Sequence, residues 1–313
     1  MADVRIETVA GELAGQRIDN YLLRVLKGVP RSRVYRLLRR GEVRVNGGRV
    51  RPTRRLRAGD RVRIPPLRET GRGEPMAPST PVRQRLEAAI LYEDERMLVI
   101  DKPAGLAVHG GSGIAYGIVE ALRVMRPEAG CIDLAHRLDR DTSGCLVLAK
   151  RRSTLRTLHG LFRDNAVDKH YTALLHGRWP ASAQRVELAL RAERGPGGER
   201  VMRAGANGLA ARTDFRLLAS YPACSLIEAR LHTGRMHQIR AHAAAIGHPV
   251  ALDHRYGDAE ADQWLRGLGL RRLFLHAARL GFEAPHCGPV SFEAPLPGDL
   301  RAVLQRLDSA AAD

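Results

Sequence analysis

Lysine is scarce in this 313-residue chain, although the chain is strongly basic. The lysines are Lys27, Lys102, Lys150 and Lys169, and the other 47 of the 51 basic residues are arginines. A GC-rich genome produces such a bias without any function, but it would spread arginine evenly. Residues 1–76 instead hold 19 basic and 8 acidic residues, a net charge of +11 within a total of +17. This concentration favours an N-terminal module that binds a polyanion over codon bias alone.

Long apolar runs and paired cysteines are missing as well. No stretch reaches the roughly 18 apolar residues that cross a bilayer, and residues 1–5 lack the basic start of a secretory signal. The cysteines form no Cys-x-x-Cys pair, which argues against a disulfide framework and against a structural zinc site. They are Cys131, Cys145, Cys224 and Cys287. We therefore expect a cytoplasmic protein with no membrane partner.

Residues 15–66 have the pattern of a small α/β unit. Apolar residues at helical spacing predict two helices. They are Ile18, Tyr21, Leu22 and Val25 in the first helix, and Val34, Leu37 and Leu38 in the second. Arg33, Arg36 and Arg40 line another face of the second helix, and Asn46-Gly47 predicts a hairpin turn between two strands. A basic helix face is usually a solvated surface, but the surrounding loops add further arginines and favour RNA binding.

A change of composition separates this unit from the rest of the chain. Residues 67–84 are rich in Pro, Gly and charge and have no periodicity. We place an N-terminal domain at 1–76, a linker at 77–85 and a second domain at 86–313. Short β-type runs such as 97–100 and 145–149 alternate with helical patterns in the second domain, which predicts an α/β (α+β) fold on a large sheet.

The segment that carries most chemical information is His136-Arg137-Leu138-Asp139-Arg140-Asp141. It runs directly into the apolar strand predicted at 145–149. A polar loop with two carboxylates among cations, at the end of a strand, suits an active site. Taken alone, however, Asp139 is also an ordinary turn or cap residue.

Two resemblances go beyond these patterns. Residues 16–62, through Val43-Arg44-Val45-Asn46-Gly47, resemble the S4 RNA-binding domain. The loop at Asp139 resembles the signature of the ribosomal RNA pseudouridine synthases of the RluA type, and the likeness extends over 92–303. Further matching segments follow in the family's order. They are Asp101-Lys102-Pro103-Ala104-Gly105, Lys169-His170-Tyr171, Thr233-Gly234-Arg235-Met236-His237-Gln238-Ile239-Arg240, Gly247-His248-Pro249 and Leu273-Phe274-Leu275-His276-Ala277.

The resemblance implies a mainly antiparallel mixed sheet and a specific set of roles. Asp139 is the implied nucleophile, adding to C6 of uracil or to C1′ of the ribose, and the sequence leaves that choice open. Arg240 would keep Asp139 ionised. Tyr171 would stack on the base and take the C5 proton.

The same resemblance implies the partner and its contacts. The substrate would be large-subunit (23S) ribosomal RNA, near the peptidyl transferase centre, with the target uridine flipped out of its stack. Arg137 is a candidate for holding the flipped strand, and His136 and Lys169 are further candidate RNA contacts, beside Arg33, Arg36 and Arg40 on the S4-like helix. Isomerisation changes no oxidation state and adds no group, so we expect no cofactor, and we predict no obligate protein partner.

Three alternatives remain open on the residues alone. One is a metal site, because histidines recur every five or six residues between 232 and 254, but His237 and His242 lie five apart, off a common helix face. The second is a non-catalytic ribosome-assembly factor, since S4 domains also occur there. The third is a methyltransferase, although no glycine-rich loop after an early strand offers a cofactor site.

Overall fold

The computed structural model describes residues 4–26, 29, 31–66, 78–110, 117–180, 182–195, 197–284 and 288–312. The chain divides into two compact units, Met1–Pro75 and Met76–Asp313. No helix within the described ranges is long and apolar enough to cross a membrane. Cys131, Cys145 and Cys224 are free thiols, whereas Lys27, Cys287 and residues 67–77 lie outside the described ranges.

The first unit places two helices against a four-stranded sheet. In chain order its elements are β1 (Arg5–Thr8), a 3-10 turn (Gly11–Leu13), α1 (Ile18–Val25), α2 (Arg31–Arg40), β2 (Arg44–Val45), β3 (Gly48–Arg49) and β4 (Arg61–Ile64). The strand order is β1-β4-β2-β3, and each neighbouring pair is antiparallel. The apolar residues predicted for both helices share one core with Val43 and Val62. The predicted small α/β unit is therefore confirmed.

The predicted hairpin turn lies between β2 and β3. Asn46 and Gly47 have φ angles of 50° and 78°, and positive φ at both central residues is typical of a type I′ turn. The Asn46 side chain also donates to Asp60 Oδ1 at 2.8 Å and accepts from the Arg61 N–H at 2.8 Å. Asn46 thus joins this turn to the one before β4.

The second unit has a ten-stranded sheet with helices packed against it. Its first elements are α3 (Thr80–Glu87), β5 (Ile90–Glu93), β6 (Met97–Lys102), α4 (Ile118–Met125), β7 (Asp133–Leu134), β8 (Ser143–Ala149), α5 (Arg152–Arg163) and β9 (Val167–His176). The remaining elements are β10 (Ala183–Glu187), β11 (Leu190–Arg194), β12 (Arg200–Ala204), β13 (Arg212–Ser220), β14 (Cys224–Leu231), α6 (Gln238–Ala245), α7 (Ala261–Gly267), β15 (Leu275–Ala284), β16 (Gly288–Glu293) and α8 (Gly298–Ala312).

The main sheet has the order β10-β13-β14-β9-β15-β8-β6-β5, with β16 beside β15 and β7 beside β8. Of the strand pairs that the structure describes in this sheet, β15 with β8 is parallel and the others are antiparallel. The mainly antiparallel mixed sheet that the resemblance implied is confirmed. The hairpin β11–β12 forms a separate two-stranded sheet.

A glycine permits the parallel contact at the start of β8. Gly144 has a φ angle of 111°, and a Cβ on it would lie 2.2 Å from the carbonyl oxygen of Ala277. No other residue fits there without displacing β15. The loop that precedes β8 is therefore fixed to the centre of the sheet.

The expected linker at 77–85 is wrong over its second part. Thr80–Glu87 form helix α3, with Pro81 in its first turn, where proline suits a helix. Leu86 is fully buried in the main core and Val82 packs against that core. The burial of these two side chains stabilises a helix that has little amphipathic pattern, so α3 belongs to the second unit.

Candidate active site

An open cleft of about 1210 Å³ lies in the second unit. The loop at 135–141, the start of β9, the segment before α6 and the segment before β15 line it. Its lining includes nine arginines and Lys169 but only three aspartates. A concave surface with this excess of positive charge attracts a polyanion such as RNA.

Asp139 lies in a tight turn that lines this cleft. The Thr142 N–H donates to the Asp139 carbonyl at 3.2 Å, which closes the turn just before β8. Beneath it, the fully buried Lys102 donates from Nζ to the carbonyls of Pro103 and Arg140, at 3.0 and 2.9 Å. Burial, opposed by the charges of Asp141 and Asp139, lowers the pKa of Lys102 to about 7. This ammonium group joins the β6 end to the loop that carries Asp139.

Arg240 reaches Asp139 from the first turn of α6. Its Nη1 donates to Asp139 Oδ2 at 2.8 Å, while Nε and Nη2 donate to the two oxygens of Asp253 at 2.7 and 2.8 Å. Burial disfavours a charge on Arg240, but the two carboxylates outweigh it and raise the pKa of the guanidinium. Arg240 therefore stays charged and presents a fixed cation to Asp139.

Tyr171 enters the cleft from β9. Its ring is buried in the main core, and within the described chain its hydroxyl has no hydrogen-bond partner. Burial, together with the negative charge of Asp139, raises the pKa of Tyr171. A flat ring with an unpaired hydroxyl thus lines the same cleft as the Asp139 carboxylate.

Lys169 and His136 lie side by side in the cleft lining but differ in availability. Lys169 is only 6% exposed, and its ammonium group makes no hydrogen bond or ion pair to any described residue. Burial lowers its pKa, and Asp168 offsets this in part. His136 accepts the Val147 N–H at Nε2 (3.1 Å) and stacks on Phe162, and burial lowers its pKa to about 3. Lys169 is free for a ligand, whereas His136 is neutral and has one nitrogen occupied.

The remaining predicted RNA-contact residues are arginines at the surface. Arg137 is exposed at the cleft beside Asp139 and forms no ion pair with the described residues. On α2 of the first unit, Arg36 and Arg40 are exposed and Arg33 is half-buried. Arg40 has a loose contact of 3.8 Å with Glu42. All four guanidinium groups are therefore accessible or partly accessible to a phosphate.

Sequence reasoning missed two residues of this site. Asp253 anchors Arg240, yet it is thirteen residues away and no local pattern marks it. For Lys102 the sequence does give an indication, because a lysine that follows the buried apolar run of β6 must find hydrogen-bond acceptors inside the protein. Lys102 belongs to one of the family-like motifs, but its acceptors are the carbonyls of Pro103 and Arg140, and the second of these reaches it only through the fold.

The histidines proposed as a metal site are occupied with other contacts. His242 contacts Thr213 Oγ1 through Nδ1 at 3.0 Å and donates from Nε2 to the Leu188 carbonyl at 2.9 Å. His237 contacts Tyr256 Oη at 2.8 Å. Within the described ranges, no group of three or more potential ligands could hold a metal ion.

Comparison with known proteins connects this geometry to a family. Residues 96–245 match the family model for RNA pseudouridylate synthase, and residues 16–62 match the S4 domain. The structure of human RNA pseudouridylate synthase domain containing 4 superposes with a TM-score of 0.61 at 28% identity, over 72% of this chain and 95% of that one. Fold and site thus define an RNA-modifying isomerase. The chain belongs to the RNA pseudouridylate synthase family.

Curated relatives match over almost the whole chain. A protein of Salmonella typhimurium named ribosomal large subunit pseudouridine synthase C is 48% identical over 98% of both chains. The protein of the same name from Escherichia coli K12 is 47% identical, again over 98% of both, and that of Pasteurella multocida is 46% identical over 97% of this chain and 94% of its own length. The enzymatic interpretation is therefore favoured over a non-catalytic assembly factor.

Proposed function

We propose that this protein converts uridines of large-subunit ribosomal RNA into pseudouridines in the cytoplasm, with residues 1–76 as an RNA-binding domain. One observation carries the proposal. Asp139 Oδ2 accepts a hydrogen bond of 2.8 Å from the buried Arg240 inside an arginine-lined cleft, in a chain 47% identical to a large-subunit enzyme. A carboxylate held in this way is a nucleophile ready at neutral pH.

The chemistry breaks the N1–C1′ bond of uridine, turns the uracil and forms a C5–C1′ bond. N1 ends with a proton and C5 loses one, so the atoms balance without a redox step. Asp139 holds one fragment covalently during the turn, through C6 or through C1′. The Arg240 cation disfavours protonation of this carboxylate and so maintains the anion that attacks.

Tyr171 fits the proton step because of its neighbour. In the resting site, the charge of Asp139 contributes to the raised pKa of the phenol. Once Asp139 has formed a covalent bond it no longer carries that charge, and this contribution disappears. The phenol therefore ionises more easily in the intermediate than in the resting enzyme: it gives its proton to N1 of the turned uracil or to solvent, and the phenolate then takes the proton from C5.

RNA contacts divide between the two units. Lys169, unpaired and buried in the cleft, suits an oxygen of the flipped nucleotide, and Arg137 at the cleft suits a phosphate. Arg33, Arg36 and Arg40 on α2 suit phosphates of the surrounding RNA. His136 supports the cleft through the Val147 N–H, and its neutral ring offers no positive charge to the RNA.

Asp139→Asn tests the proposal because it keeps the shape and removes the anion. We expect release of tritium from 5-tritiated uridine in ribosomal RNA to fall by about a thousandfold or more. Asp141→Asn, in the same loop, is the matched control and should keep most of the activity. Near-parental turnover in Asp139→Asn would overturn the assignment of Asp139 as the nucleophile. The substrate is tested separately, by mapping pseudouridines on ribosomal RNA from cells with and without the gene.

A further inference from the structure

A chain of hydrogen bonds runs from the β11–β12 hairpin to the cleft. The Met202 N–H in β12 donates to Tyr256 Oη at 2.7 Å, and this oxygen lies 2.8 Å from His237 Nδ1. The second ring nitrogen of His237, Nε2, lies 3.8 Å from Asp139 Oδ1. Neither His237 nor Tyr256 has a part in the chemistry described above. The chain of hydrogen bonds nevertheless ends within 3.8 Å of the nucleophile.

His237 is held in place from several sides. Its φ and ψ angles of 52° and 24° are left-handed, at the residue that caps α6. Residues with a Cβ adopt this conformation rarely, and it persists where the surroundings impose it. The Tyr256 ring packs edge-on against the imidazole, at 5.6 Å and 83°, and its centroid lies 5.1 Å from the Arg240 guanidinium. Tyr256 thus contacts both residues that approach Asp139.

The hydrogen bonds determine which nitrogen of His237 carries the proton. The Met202 N–H can only donate, so it occupies one lone pair of Tyr256 Oη, and the phenolic hydrogen needs an acceptor. His237 Nδ1 is that acceptor if the imidazole is neutral with its proton on Nε2. The opposite tautomer would leave the phenolic hydrogen unpaired and would turn a lone pair of Nε2 towards the Asp139 carboxylate. Burial, which outweighs the attraction of Asp139, lowers the pKa of His237 and favours the neutral ring.

The two oxygens of Asp139 consequently differ. Oδ2 accepts from Arg240 at 2.8 Å, whereas Oδ1 lies 3.8 Å from His237 Nε2. That separation exceeds a hydrogen bond by about 1 Å, so in this geometry an Nε2–H group attracts Oδ1 electrostatically without forming a hydrogen bond to it. We infer that Tyr256 fixes His237 as the Nε2–H tautomer, and that His237 is a positioning residue that orients Oδ1 of Asp139 for attack.

This inference rests on the proposed function of Asp139. With Arg240 on one oxygen and an N–H donor near the other, the carboxylate has a defined rotation about its Cβ–Cγ bond. A carboxylate that is already oriented loses less conformational entropy when it reaches the attacking geometry. His237 therefore affects turnover rather than RNA affinity, because it acts on the nucleophile.

A matched pair of variants tests the donor. Gln and Met are similar in length and flexibility, but only Gln retains an N–H. We expect His237→Met to lower kcat about 30-fold with KM for RNA within about threefold of the parent, and His237→Gln to stay within about fivefold in kcat. Equal kcat values in the two variants, whether high or low, would overturn the inference. Activity of the parent, absent in Asp139→Asn, shows separately that the proposed function holds.

An NMR measurement determines the tautomer of His237 without measuring turnover. It also does not depend on whether His237→Met folds. In protein labelled with ¹⁵N-histidine, we expect a pyrrole-like Nε2 and a pyridine-like Nδ1 for His237 at neutral pH, assigned by its loss in His237→Gln. Tyr256→Phe keeps the ring contacts and removes the hydroxyl, so it should shift this resonance pair towards a mixture of tautomers. An Nδ1–H ring or an imidazolium in the parent, or an unchanged tautomer in Tyr256→Phe, would contradict the inference.

Discussion

Asp253 sets the direction of Arg240. It accepts from Nε at 2.7 Å and from Nη2 at 2.8 Å, so the planar guanidinium has one orientation, and its remaining nitrogen, Nη1, points to Asp139. Asp253 itself is buried and also accepts the N–H groups of Arg255 and Tyr256. The Asp253 carboxylate thus aligns Asp139 indirectly, by fixing the guanidinium of Arg240 that donates to it.

Asp253→Asn should reduce both activity and stability. The amide keeps one acceptor oxygen, but it places an NH₂ group against a guanidinium and removes the charge that compensates buried Arg240. We expect a loss of about 3 kcal/mol in the free energy of unfolding and a drop in kcat of about tenfold or more. Urea unfolding and tritium release measure the two effects.

Asp258→Asn is the control for that prediction. Asp258 is exposed, and its side chain accepts the N–H groups of Glu260 and Ala261 before α7. An asparagine oxygen can accept the same bonds, so stability and turnover should remain near parental values. Similar losses in the two variants would show that the Arg240–Asp253 pair has no special role.

Tyr171 separates stacking from proton transfer. Tyr171→Phe keeps the ring and loses the hydroxyl, whereas Tyr171→Leu loses both. We expect turnover to fall about a hundredfold or more in both variants, with RNA affinity better preserved in Tyr171→Phe. Single-turnover kinetics and filter binding measure these effects. Normal turnover by Tyr171→Phe would mean that the hydroxyl moves no proton and that the ring serves only to stack.

Lys102 makes the stability of the fold depend on pH. Its pKa is about 7 in the folded protein and about 10.4 in an unfolded chain. Between these values the unfolded chain binds the extra proton, so raising the pH stabilises the folded state. From about pH 7 to about pH 9, the parent should gain on the order of 2 kcal/mol relative to Lys102→Met. Urea titrations of both proteins test this, and a difference that does not change with pH would contradict it.

The arginines of α2 should determine the salt dependence of RNA binding. Replacing Arg33, Arg36 and Arg40 together with glutamine removes up to three phosphate contacts. Each contact contributes about 0.7–0.9 to the slope of log affinity against log salt, so the slope should become shallower by about 2. Chemistry on bound RNA should persist at saturating RNA. Filter binding from low to moderate salt gives the slope.

A second triple variant controls for net charge. Its positions are exposed arginines on α3 and α8: Arg83, Arg85 and Arg301. If the two triple variants change the slope equally, the arginine excess of the first unit is a solvated surface and α2 has no dedicated role.

The local patterns predicted the elements well wherever burial follows periodicity. Ile18, Tyr21 and Leu22 are buried on α1, and Asn46-Gly47 forms the turn between β2 and β3. The predicted linker failed at α3, because Leu86 gains its stability from the core of the second unit and no pattern within residues 77–85 records that contact. Tertiary packing decides such a weakly patterned segment.

For the site, the family motif indicated Asp139, Tyr171 and Arg240, and the structure places all three at one cleft. The Asp139–Arg240 pair is separated by 101 residues of sequence and depends on the position of α6 next to the loop before β8. Asp253 and the proton on His237 could not be predicted, since each follows from hydrogen bonds between distant segments. The sequence predicts His136 as an RNA contact, but it cannot show that the Val147 N–H occupies Nε2 of this histidine.

The few lysines of this chain have a practical consequence for anyone who labels or cross-links it. Lys102 is fully buried, Lys169 is 6% exposed, and Lys150 is paired with Glu93. Each is a compact amino group in a confined space, where a longer, planar guanidinium would not fit in the same way. Amine-reactive esters and aldehydes will therefore modify the described surface sparsely, whereas glyoxals, which react with guanidinium groups, will modify the exposed arginines of α2 and of the cleft. Acetylation of these lysines would likewise have little access, so the positive surface keeps its charge.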